Sequence, residues 1–425
     1  MGPSAGIKTD TAARLRASRG SIKHDCIVPP GRFPKAKQNT TVSKPRPLRP
    51  LLIVGTRPEA IKMAPVILRC RSDEDVDPVL CSTGQHRQML DQVLSYFDIT
   101  PEIELSLMTD NQTLAGLTAA AIVAIDRVIA DHRVDCVVVQ GDTSTVMAGA
   151  MAAFFRRVPV VHVEAGLRTG DLNAPWPEEF NRRVAGIVAN LHCAPTQTAA
   201  DALAAEDVPA GQIQVTGNTV IDALLHTVAR ERTRGDHWRG QFTMLRNASP
   251  MVLITGHRRE NWGDAMRDFC GAISTLASAH PDVDFVYPVH LNPNVHDVVH
   301  RNLAGRRNVH LLPPADYPGF VWLMDRAAVV LTDSGGVQEE APSLGCRVIV
   351  TREKTERPEA VRLGLVDLVG TDRDKIVGAV DNALKQHRGR HRSDPAQRPA
   401  NPYGDGHAAE RIVRWMRDKI PRPIS

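Results

Sequence analysis

The sequence predicts an α/β protein with two Rossmann-like, doubly wound parallel-sheet domains that face a cleft. Short apolar runs typical of buried strands alternate with helix-like stretches; this alternation starts near residue 50 and restarts near residue 251. Strands that alternate with helices form right-handed βαβ units and hence a parallel sheet. A chain of 425 residues is long enough for two such domains, each with its own core.

The strands are predicted from short apolar runs that end at polar turns. In the first half they cover the LLIV run after Pro50 and residues 78–82, 136–140 and 158–163, with helices at 88–97, 114–130 and 144–155. In the second half they cover residues 251–255, 283–288, 309–312, 328–332, 347–350 and 366–369. The polar, Arg-rich region 230–249 is predicted to join the halves.

Residues 1–49 are predicted to be a disordered basic extension, because they show no sustained apolar periodicity. They lack the apolar segment of a secretory signal. Their Arg-rich, acid-poor composition distantly resembles an organelle transit sequence, although a tail without such a role, or an over-long start, is the favoured interpretation.

Charge and cysteine content limit the function classes. The chain has 52 Lys and Arg and 48 Asp and Glu. Residues 1–50 contain 11 of the basic residues and 2 of the acidic ones, which leaves 41 basic and 46 acidic residues in the rest of the chain. A nucleic-acid-binding surface is therefore not indicated, and no apolar run approaches the roughly 18–20 residues of a membrane span. Seven separated cysteines without a CxxC pair predict reduced thiols, a cytoplasmic protein and no structural zinc, and those at 81, 136, 193 and 346 are expected to be buried.

The segment VLTDSGGVQEE predicts a strand, a tight turn and a helix N-terminus. Gly335 and Gly336 allow a ligand to approach the backbone after Ser334, and the N–H groups and dipole of the helix favour a phosphate there. Glu340 is placed to accept ribose hydroxyls. An ordinary strand-to-helix loop explains the same residues equally well.

Basic side chains follow several predicted strands and offer donors for a pyrophosphate. They are Arg57, Lys62, His257, Arg258, Arg259, Arg352, Lys354 and Arg357. At least one of the adjacent Arg258 and Arg259 is expected to be a solvated surface charge.

Acidic side chains follow strands of the first half: Asp142, Glu164, Glu178 and Glu179. A partly desolvated carboxylate has its pKa raised toward neutrality, which suits proton transfer. Asp142 could equally cap the following helix, whereas Glu164 has no obvious capping role. No Walker-type loop, GxSxG elbow or dinucleotide-binding glycine pattern follows a strand, so no cofactor is predicted, nor any metal.

The sequence resembles the non-hydrolysing UDP-N-acetylglucosamine 2-epimerases of bacterial type. Its motifs match the signatures of that family in order from residue 51 to about 416: GTRPEAIKMAPV, TGQHRQMLDQVL, GDTSTVMAG, HVEAGLRTGDLNAPWPEEFNR, TGNTVIDALL, TGHRREN, YPVHLNPNV, FVWLM, LTDSGGVQEEAPSLG, TERPEAV and NPYGDG.

The resemblance implies a glycosyltransferase-B-like fold. Its first domain would cover 50–220 and be joined by the C-terminal helix 403–420, and its second would cover 221–402. It also implies cofactor-free interconversion of UDP-GlcNAc and UDP-ManNAc through UDP elimination and re-addition. The product would supply ManNAc-type precursors of cell-surface polysaccharide, and the protein would be a homodimer.

The resemblance also assigns roles to individual residues. The catalytic carboxylates of the family are matched by Asp142, Glu164 and Glu178, and its active-site histidine is matched by His257. The positions that hold UDP are matched by Arg57, Lys62, Ser334, Gly335, Gly336, Glu340 and Arg357, and a position at the uracil is matched by Phe320. The residues that bind a second, activating UDP-GlcNAc in some members resemble Gln85 and His86. The sequence departs from the family pattern at Gln140, at Ala315 and before Phe320. These departures affect the expected contacts with the base, whereas the catalytic carboxylates are unchanged.

Three rival functions remain open from the sequence. A glycosyltransferase of the same architecture would need an acceptor, and a hydrolysing epimerase would release free ManNAc and UDP. No fused sugar-kinase domain follows, which disfavours the bifunctional form of the latter. A catalytically silent UDP-sugar sensor is disfavoured by the intact carboxylates.

Overall fold

A computed structural model gives the fold and describes residues 46–84, 87–108, 112–246, 249–258, 262–355, 357–388 and 400–422. The first half contains β1 (Pro50–Val54), α1 (Arg57–Arg71), β2 (Val79–Ser82), α2 (Arg87–Tyr96), β3 (Ile103–Glu104), α3 (Leu114–His132), β4 (Cys136–Gln140), α4 (Ser144–Phe155), β5 (Val160–Val163), α5 (Glu178–Val188), β6 (Leu191–Ala194), α6 (Gln197–Ala204), β7 (Ile213–Val215), α7 (Thr219–Thr233) and α8 (Gly235–Gln241).

The second half contains β8 (Met251–Thr255), α9 (Asp264–Ala279), β9 (Asp284–Pro288), α10 (Pro293–Leu303), β10 (Val309–Leu312), α11 (Tyr317–Arg326), β11 (Val329–Thr332), α12 (Gly335–Glu340), β12 (Arg347–Val350), α13 (Pro358–Arg362), β13 (Val366–Leu368), α14 (Arg373–Arg388) and α15 (Ala408–Lys419). The predicted strands of both halves are therefore confirmed, within one or two residues at each end.

Each half forms one parallel sheet. The first sheet has the order β3-β2-β1-β4-β5-β6-β7 and the second has the order β10-β9-β8-β11-β12-β13. The strand order reverses between β1 and β4 in one sheet and between β8 and β11 in the other. In doubly wound sheets, ligands bind beyond the carboxyl ends of the strands at such a reversal. A ligand site is therefore expected at the polar motifs that follow these four strands.

Strand formation follows from the buried, β-branched runs. In β4, the sequence CVVVQ is buried at every position, as expected for a strand covered by helices on both faces. Helices begin at polar capping residues: Thr56 and Glu59 form a capping box at the start of α1, and Thr143 caps α4. The helix α15 packs its apolar face, including Ile412 and Met416, into the core around α1.

Three features differ from the sequence predictions. Residues 46–49 are folded rather than part of a disordered extension, because Leu48 is fully buried and pairs with Val76. Much of the predicted connection 230–249 is helical, since α7 runs to Thr233 and α8 follows it. The short strands β3, β6 and β7 were missed because their apolar runs are brief and interrupted by polar residues.

The cysteines are buried as predicted. Cys81, Cys136, Cys193 and Cys346 are all buried and form no disulfide, and burial raises the pKa of the Cys81 thiol to about 12. Such thiols stay protonated near neutral pH and are poor nucleophiles. Among the helices of the described ranges, none is long and apolar enough to span a membrane.

Candidate active site

The turn after β11 places the N-terminus of α12 next to a cation. Ser334 is the N-cap of α12, but its hydroxyl makes no capping hydrogen bond. The fully buried Asp333 accepts a hydrogen bond from the backbone N–H of His257 at 2.8 Å, which ties the loops after β8 and β11 together. A Cβ on Gly335 would lie 3.0 Å from Cζ of Arg357. Glycine therefore lets the guanidinium lie directly against the turn, an arrangement that suits an anion.

Glu164 follows β5 and is held by donors from three elements. The Lys62 ammonium donates to both of its carboxylate oxygens at 2.6 and 2.7 Å, Asn218 donates at 2.9 Å, and the Gln140 amide donates as well. The backbone φ of Glu164 is +60°, an uncommon conformation for a residue with a side chain. Burial alone would raise the pKa of Glu164, but Lys62 and the other donors bring that pKa below its ordinary value. The carboxylate is thus buried, ionised and fixed in place.

Asp142 follows β4 in a loop that is fixed at both its backbone and its side chain. The Arg182 guanidinium donates to its carboxylate, and the Asn181 amide donates to its backbone carbonyl at 3.0 Å. Thr143, not Asp142, caps α4, so the alternative capping role is excluded. Burial raises the pKa of Asp142, the Arg182 charge opposes this, and the negative Glu164 adds to the increase. A carboxyl with a raised pKa next to an ionised one is suited to exchange a proton near neutral pH.

Glu178 and Glu179 are neighbours with different surroundings. Glu178 is the first residue of α5 and is half-buried, and its side chain makes no hydrogen bond or ion pair with the described residues. Glu179 is fully buried, binds Arg182 at 3.3 Å and Arg183 at 3.1 Å, and accepts from the backbone N–H of Thr169. Glu178 is therefore the one available to a ligand, while Glu179 supports the guanidinium that holds the neighbouring aspartate.

His257 follows β8 and its side chain is 45% exposed. Its Nδ1 lies 3.4 Å from the Asp333 carboxylate, and its ring stacks on His290 with centroids 5.5 Å apart. Burial lowers the pKa of His257, Asp333 opposes this, and the nearby His290 and Arg258 lower the pKa further. The imidazole is therefore neutral near pH 7, able to donate or accept a hydrogen bond.

Two adjacent carboxylates of α12 point into the same region. Glu339 accepts a hydrogen bond from Nε of Arg357 at 2.6 Å. Burial, together with the charge of Glu339, raises the pKa of Glu340 to about 8, while Lys62 and Arg57 oppose the increase. Glu340 is thus close to Arg57 and Lys62 of the first half, which places these three predicted residues in one neighbourhood.

Of the remaining predicted residues, some lie in the second half and others lie outside the described ranges. Phe320 is on α11, partly buried against the core of the second sheet. Gly336 is the second residue of α12, and a Cβ there would make only an ordinary contact with Glu340. Gln85 and His86 lie outside the described residues.

A chain of side chains joins the two sheets at the site. It runs from Lys62 to Glu164, Asn218, Glu339 and Arg357. Asn218 and Glu339 were not predicted, although both stand in quoted motifs, TGNTVIDALL and LTDSGGVQEEAPSLG. Only the fold shows that these two motifs meet. The site thus combines buried carboxylates from both halves with a cation on each side.

The fold and the site define an α/β protein of glycosyltransferase-B type whose acidic and basic side chains meet between two parallel sheets. A glycosyltransferase structure from Rickettsia africae has a TM-score of 0.54 at 12% identity, over 88% of this chain and 96% of that chain. This likeness concerns the fold alone, and it agrees with the predicted fold class.

Closer similarities identify the family. The family model of UDP-N-acetylglucosamine 2-epimerase matches residues 68–417. A probable UDP-N-acetylglucosamine 2-epimerase of Ralstonia nicotianae is 49% identical over 86% of this chain and 97% of its own length. The structure of UDP-GlcNAc 2-epimerase from Neisseria meningitidis bound to UDP-GlcNAc has a TM-score of 0.80 at 42% identity, over 88% of this chain and 100% of that one. The chain therefore belongs to the UDP-N-acetylglucosamine 2-epimerase family, which confirms the resemblance found in its sequence.

Proposed function

We propose that this protein interconverts UDP-N-acetylglucosamine and UDP-N-acetylmannosamine by inverting C2 of the sugar. The observation that carries the proposal is the meeting of Asp142 and Glu164, from the first sheet, with the glycine turn and Arg357 of the second. This arrangement offers groups for proton transfer opposite groups for a pyrophosphate. Family membership and the UDP-GlcNAc-bound structure of a relative support the choice of substrate.

The chemistry explains why both kinds of group are needed. The C2–H bond of the sugar is not next to a carbonyl, so simple deprotonation would be too slow. If the C1–O bond breaks as the C2 proton leaves, the C–H electron pair forms a C1=C2 double bond and UDP departs with the C–O electron pair. The intermediate is 2-acetamidoglucal. Cations that hold the pyrophosphate stabilise the charge that develops on the leaving group.

Re-addition of UDP completes the inversion. The pyrophosphate oxygen bonds again to C1, and C2 takes a proton on the face opposite to the one that lost it. Two acid/base groups are therefore required, one for each face. Asp142, Glu164 and Glu178 are the proposed groups, with His257 beside the leaving pyrophosphate, and no cofactor takes part.

The elimination can be tested by incubating the protein with UDP-GlcNAc in D2O and recording proton NMR spectra. We expect UDP-ManNAc to appear and deuterium to enter C2 of both nucleotide sugars. Epimerisation without deuterium at C2 would exclude the elimination route. Transfer of the sugar only when an acceptor is added would indicate a glycosyltransferase. Net release of ManNAc and UDP would indicate a hydrolysing epimerase, and binding of UDP-GlcNAc without conversion would indicate a sensor.

We also propose that the protein is a homodimer. Support comes from large apolar side chains left exposed on the neighbouring helices α3, α4 and α5: Val123 (53%), Phe154 (57%), Phe155 (62%) and Ile187 (82%). Exposed apolar surface of this kind marks contacts with other proteins. Light scattering in solution should give about 93 kDa, twice the 46.5 kDa of one chain, and a mass of one chain would refute the dimer.

Two further parts of the proposal concern biological role and regulation. The product UDP-ManNAc would supply ManNAc-type precursors for cell-surface polysaccharide, and a second UDP-GlcNAc near Gln85 and His86 would activate the enzyme. A sigmoidal dependence of the reverse reaction, from UDP-ManNAc to UDP-GlcNAc, on added UDP-GlcNAc would support the activation. A rate that does not depend on added UDP-GlcNAc in this way would refute it.

A further inference from the structure

Asn218 is buried, and both the oxygen and the nitrogen of its side-chain amide are hydrogen-bonded. The residue is 2% exposed, and its Oδ1 accepts a hydrogen bond from the backbone N–H of Val220 at 3.1 Å as the N-cap of α7. This contact fixes which end of the amide is oxygen, so Nδ2 must face the other way. There it donates to Oε1 of Glu164 at 2.9 Å and to Oε2 of Glu339 at 2.7 Å. We call these two contacts the Asn218 bridge.

The charges around the Asn218 bridge explain why an amide is needed there. Two carboxylates that approach one group repel each other unless donors lie between and beside them. Lys62 donates to Glu164 at 2.6 Å, and Arg357 donates to Glu339 at 2.6 Å. The amide thus joins two ion pairs, one from each half of the molecule. A residue without donors at this position would leave the two carboxylates facing each other in a buried space.

The bridge connects the proposed proton-transfer group with the proposed leaving-group site. Arg357 lies against Gly335 in the turn that we assign to the pyrophosphate. Glu164 has Lys62 on α1, Gln140 on β4 and Asn218 before α7 as its donors, and the charge of Asp142 lies near it. Of these donors, Asn218 is the one that also donates a hydrogen bond to α12 among the described residues, through Glu339.

We propose that Asn218 is a positioning residue for the epimerisation, which holds Glu164 in register with the turn that binds the diphosphate of the nucleotide sugar. The inference rests on the proposed function and extends it to a residue that would not touch the substrate. Correct alignment of an acid/base group with the bond that breaks is worth large rate factors, and a misplacement of about 1 Å costs about 100-fold.

The test uses Asn218→Ser, because serine keeps a capping oxygen but lacks the amide. We expect kcat to fall about 50-fold, while the Kd of UDP measured by calorimetry changes less than about threefold. We also expect the acid limb of the kcat pH profile to move to higher pH, because Glu164 loses a donor to its ionised form. A purely structural role would leave this limb in place.

A matched variant separates capping from positioning. Asn292 caps α10 in the same way, with its side chain accepting from the Asn294 N–H at 3.0 Å. The change in thermal midpoint of Asn292→Ser measures what the same exchange costs a helix cap. Asn218→Asp provides a second test that keeps the capping acceptor. It should lose more activity than Asn218→Ser, since it adds a third carboxylate.

The outcomes distinguish the two proposals. If the unmodified protein does not epimerise UDP-GlcNAc, the proposed function and this inference both fail. If it does, and either folded Asn218 variant keeps its kcat and its acid limb, the Asn218 inference alone is overturned. A loss of kcat with an unmoved acid limb and weakened UDP binding would also overturn it, because Asn218 would then act on binding or folding.

Discussion

The two halves of the site are prepared in different ways. On the first-sheet side, Glu164 and Asp142 each have a cation and an amide in contact before any ligand arrives. On the second-sheet side, the Ser334 hydroxyl makes no capping bond and Glu340 has a raised pKa. Glu164 and Asp142 are therefore held in advance, whereas the second-sheet side has groups whose best partners would come with a ligand.

This difference matches the demands of the proposed reaction. Proton transfer at C2 needs carboxylates held within a fraction of an ångström, which favours fixed side chains. A diphosphate brings its own negative charge and can complete an incomplete set of donors. The comparison predicts that changes on the first-sheet side reduce turnover, whereas changes on the second-sheet side also affect affinity or the pH dependence of stability.

The largest effect is expected for Glu164→Gln. Glutamine has nearly the same shape but cannot take up a proton, so kcat should fall by about 10³-fold or more. Binding of UDP, measured by calorimetry, should change little, since the second-sheet side is untouched. Full turnover in this variant would show that Glu164 does not take part in proton transfer.

A control for this variant is Asp236→Asn. The Asp236 carboxylate also pairs with a basic side chain, Arg239, but on the exposed surface of α8. Removing an exposed ion pair costs little stability. We therefore expect turnover equal to that of the unmodified protein.

The sequence predicted the strands and the loops well, but only part of the site. Asp142, Glu164 and the glycine turn were found because each stands directly after an apolar run, and a parallel sheet brings such positions to one edge. Asn218 and Glu339 were missed because their importance lies in a contact between segments 121 positions apart. Glu339 also looks interchangeable with its neighbour Glu340 in the sequence, and only helix geometry shows which one meets Arg357.

The assignment of Glu178 over Glu179 illustrates the same limit. Both begin the same helix, and their residue type and spacing from the strand are nearly identical. Packing distinguishes their surroundings, because Glu179 is enclosed by two arginines. The family resemblance favoured Glu178, but residue type and spacing alone carry no signal for which of two adjacent acids turns inward at the first turn of a helix.

A medium effect is expected for Gly335→Ala on the second-sheet side. The added methyl would lie 3.0 Å from the Arg357 guanidinium, which is already held by Glu339 at 2.6 Å, so the guanidinium must move away from the turn. Losing a charged hydrogen bond to the diphosphate costs about 2–3 kcal/mol, or about 100-fold in kcat/KM.

For Gly335→Ala, the informative measurement is how the loss divides between the Kd of UDP and kcat. A weaker Kd for UDP together with a lower kcat means that the turn stabilises the departing diphosphate, whereas a weaker Kd alone would make it an anchor. Gly378→Ala is the control, because a Cβ at that position on α14 meets nothing within 4 Å. It should behave like the unmodified protein.

The smallest effect is expected for Glu340→Gln and appears in stability rather than turnover. The pKa of Glu340 is raised to about 8 from an ordinary value of 4.5, mainly by burial and by Glu339. Between these values the folded protein binds more protons than the unfolded chain, so stability falls as pH rises. The ligand-free protein should lose about 2 kcal/mol of unfolding free energy between pH 6 and pH 8 through this group.

Denaturant unfolding at several pH values measures this loss. Glu340→Gln has no proton to release, so the free energy of unfolding should depend less on pH over that interval. Saturating UDP should shift the pH dependence of the unmodified protein but not that of the variant, if Glu340 receives the ribose hydroxyls. Identical pH dependence in both proteins would mean that Glu340 is not the buried acid described here, and the second-sheet side would then be as complete without ligand as the first.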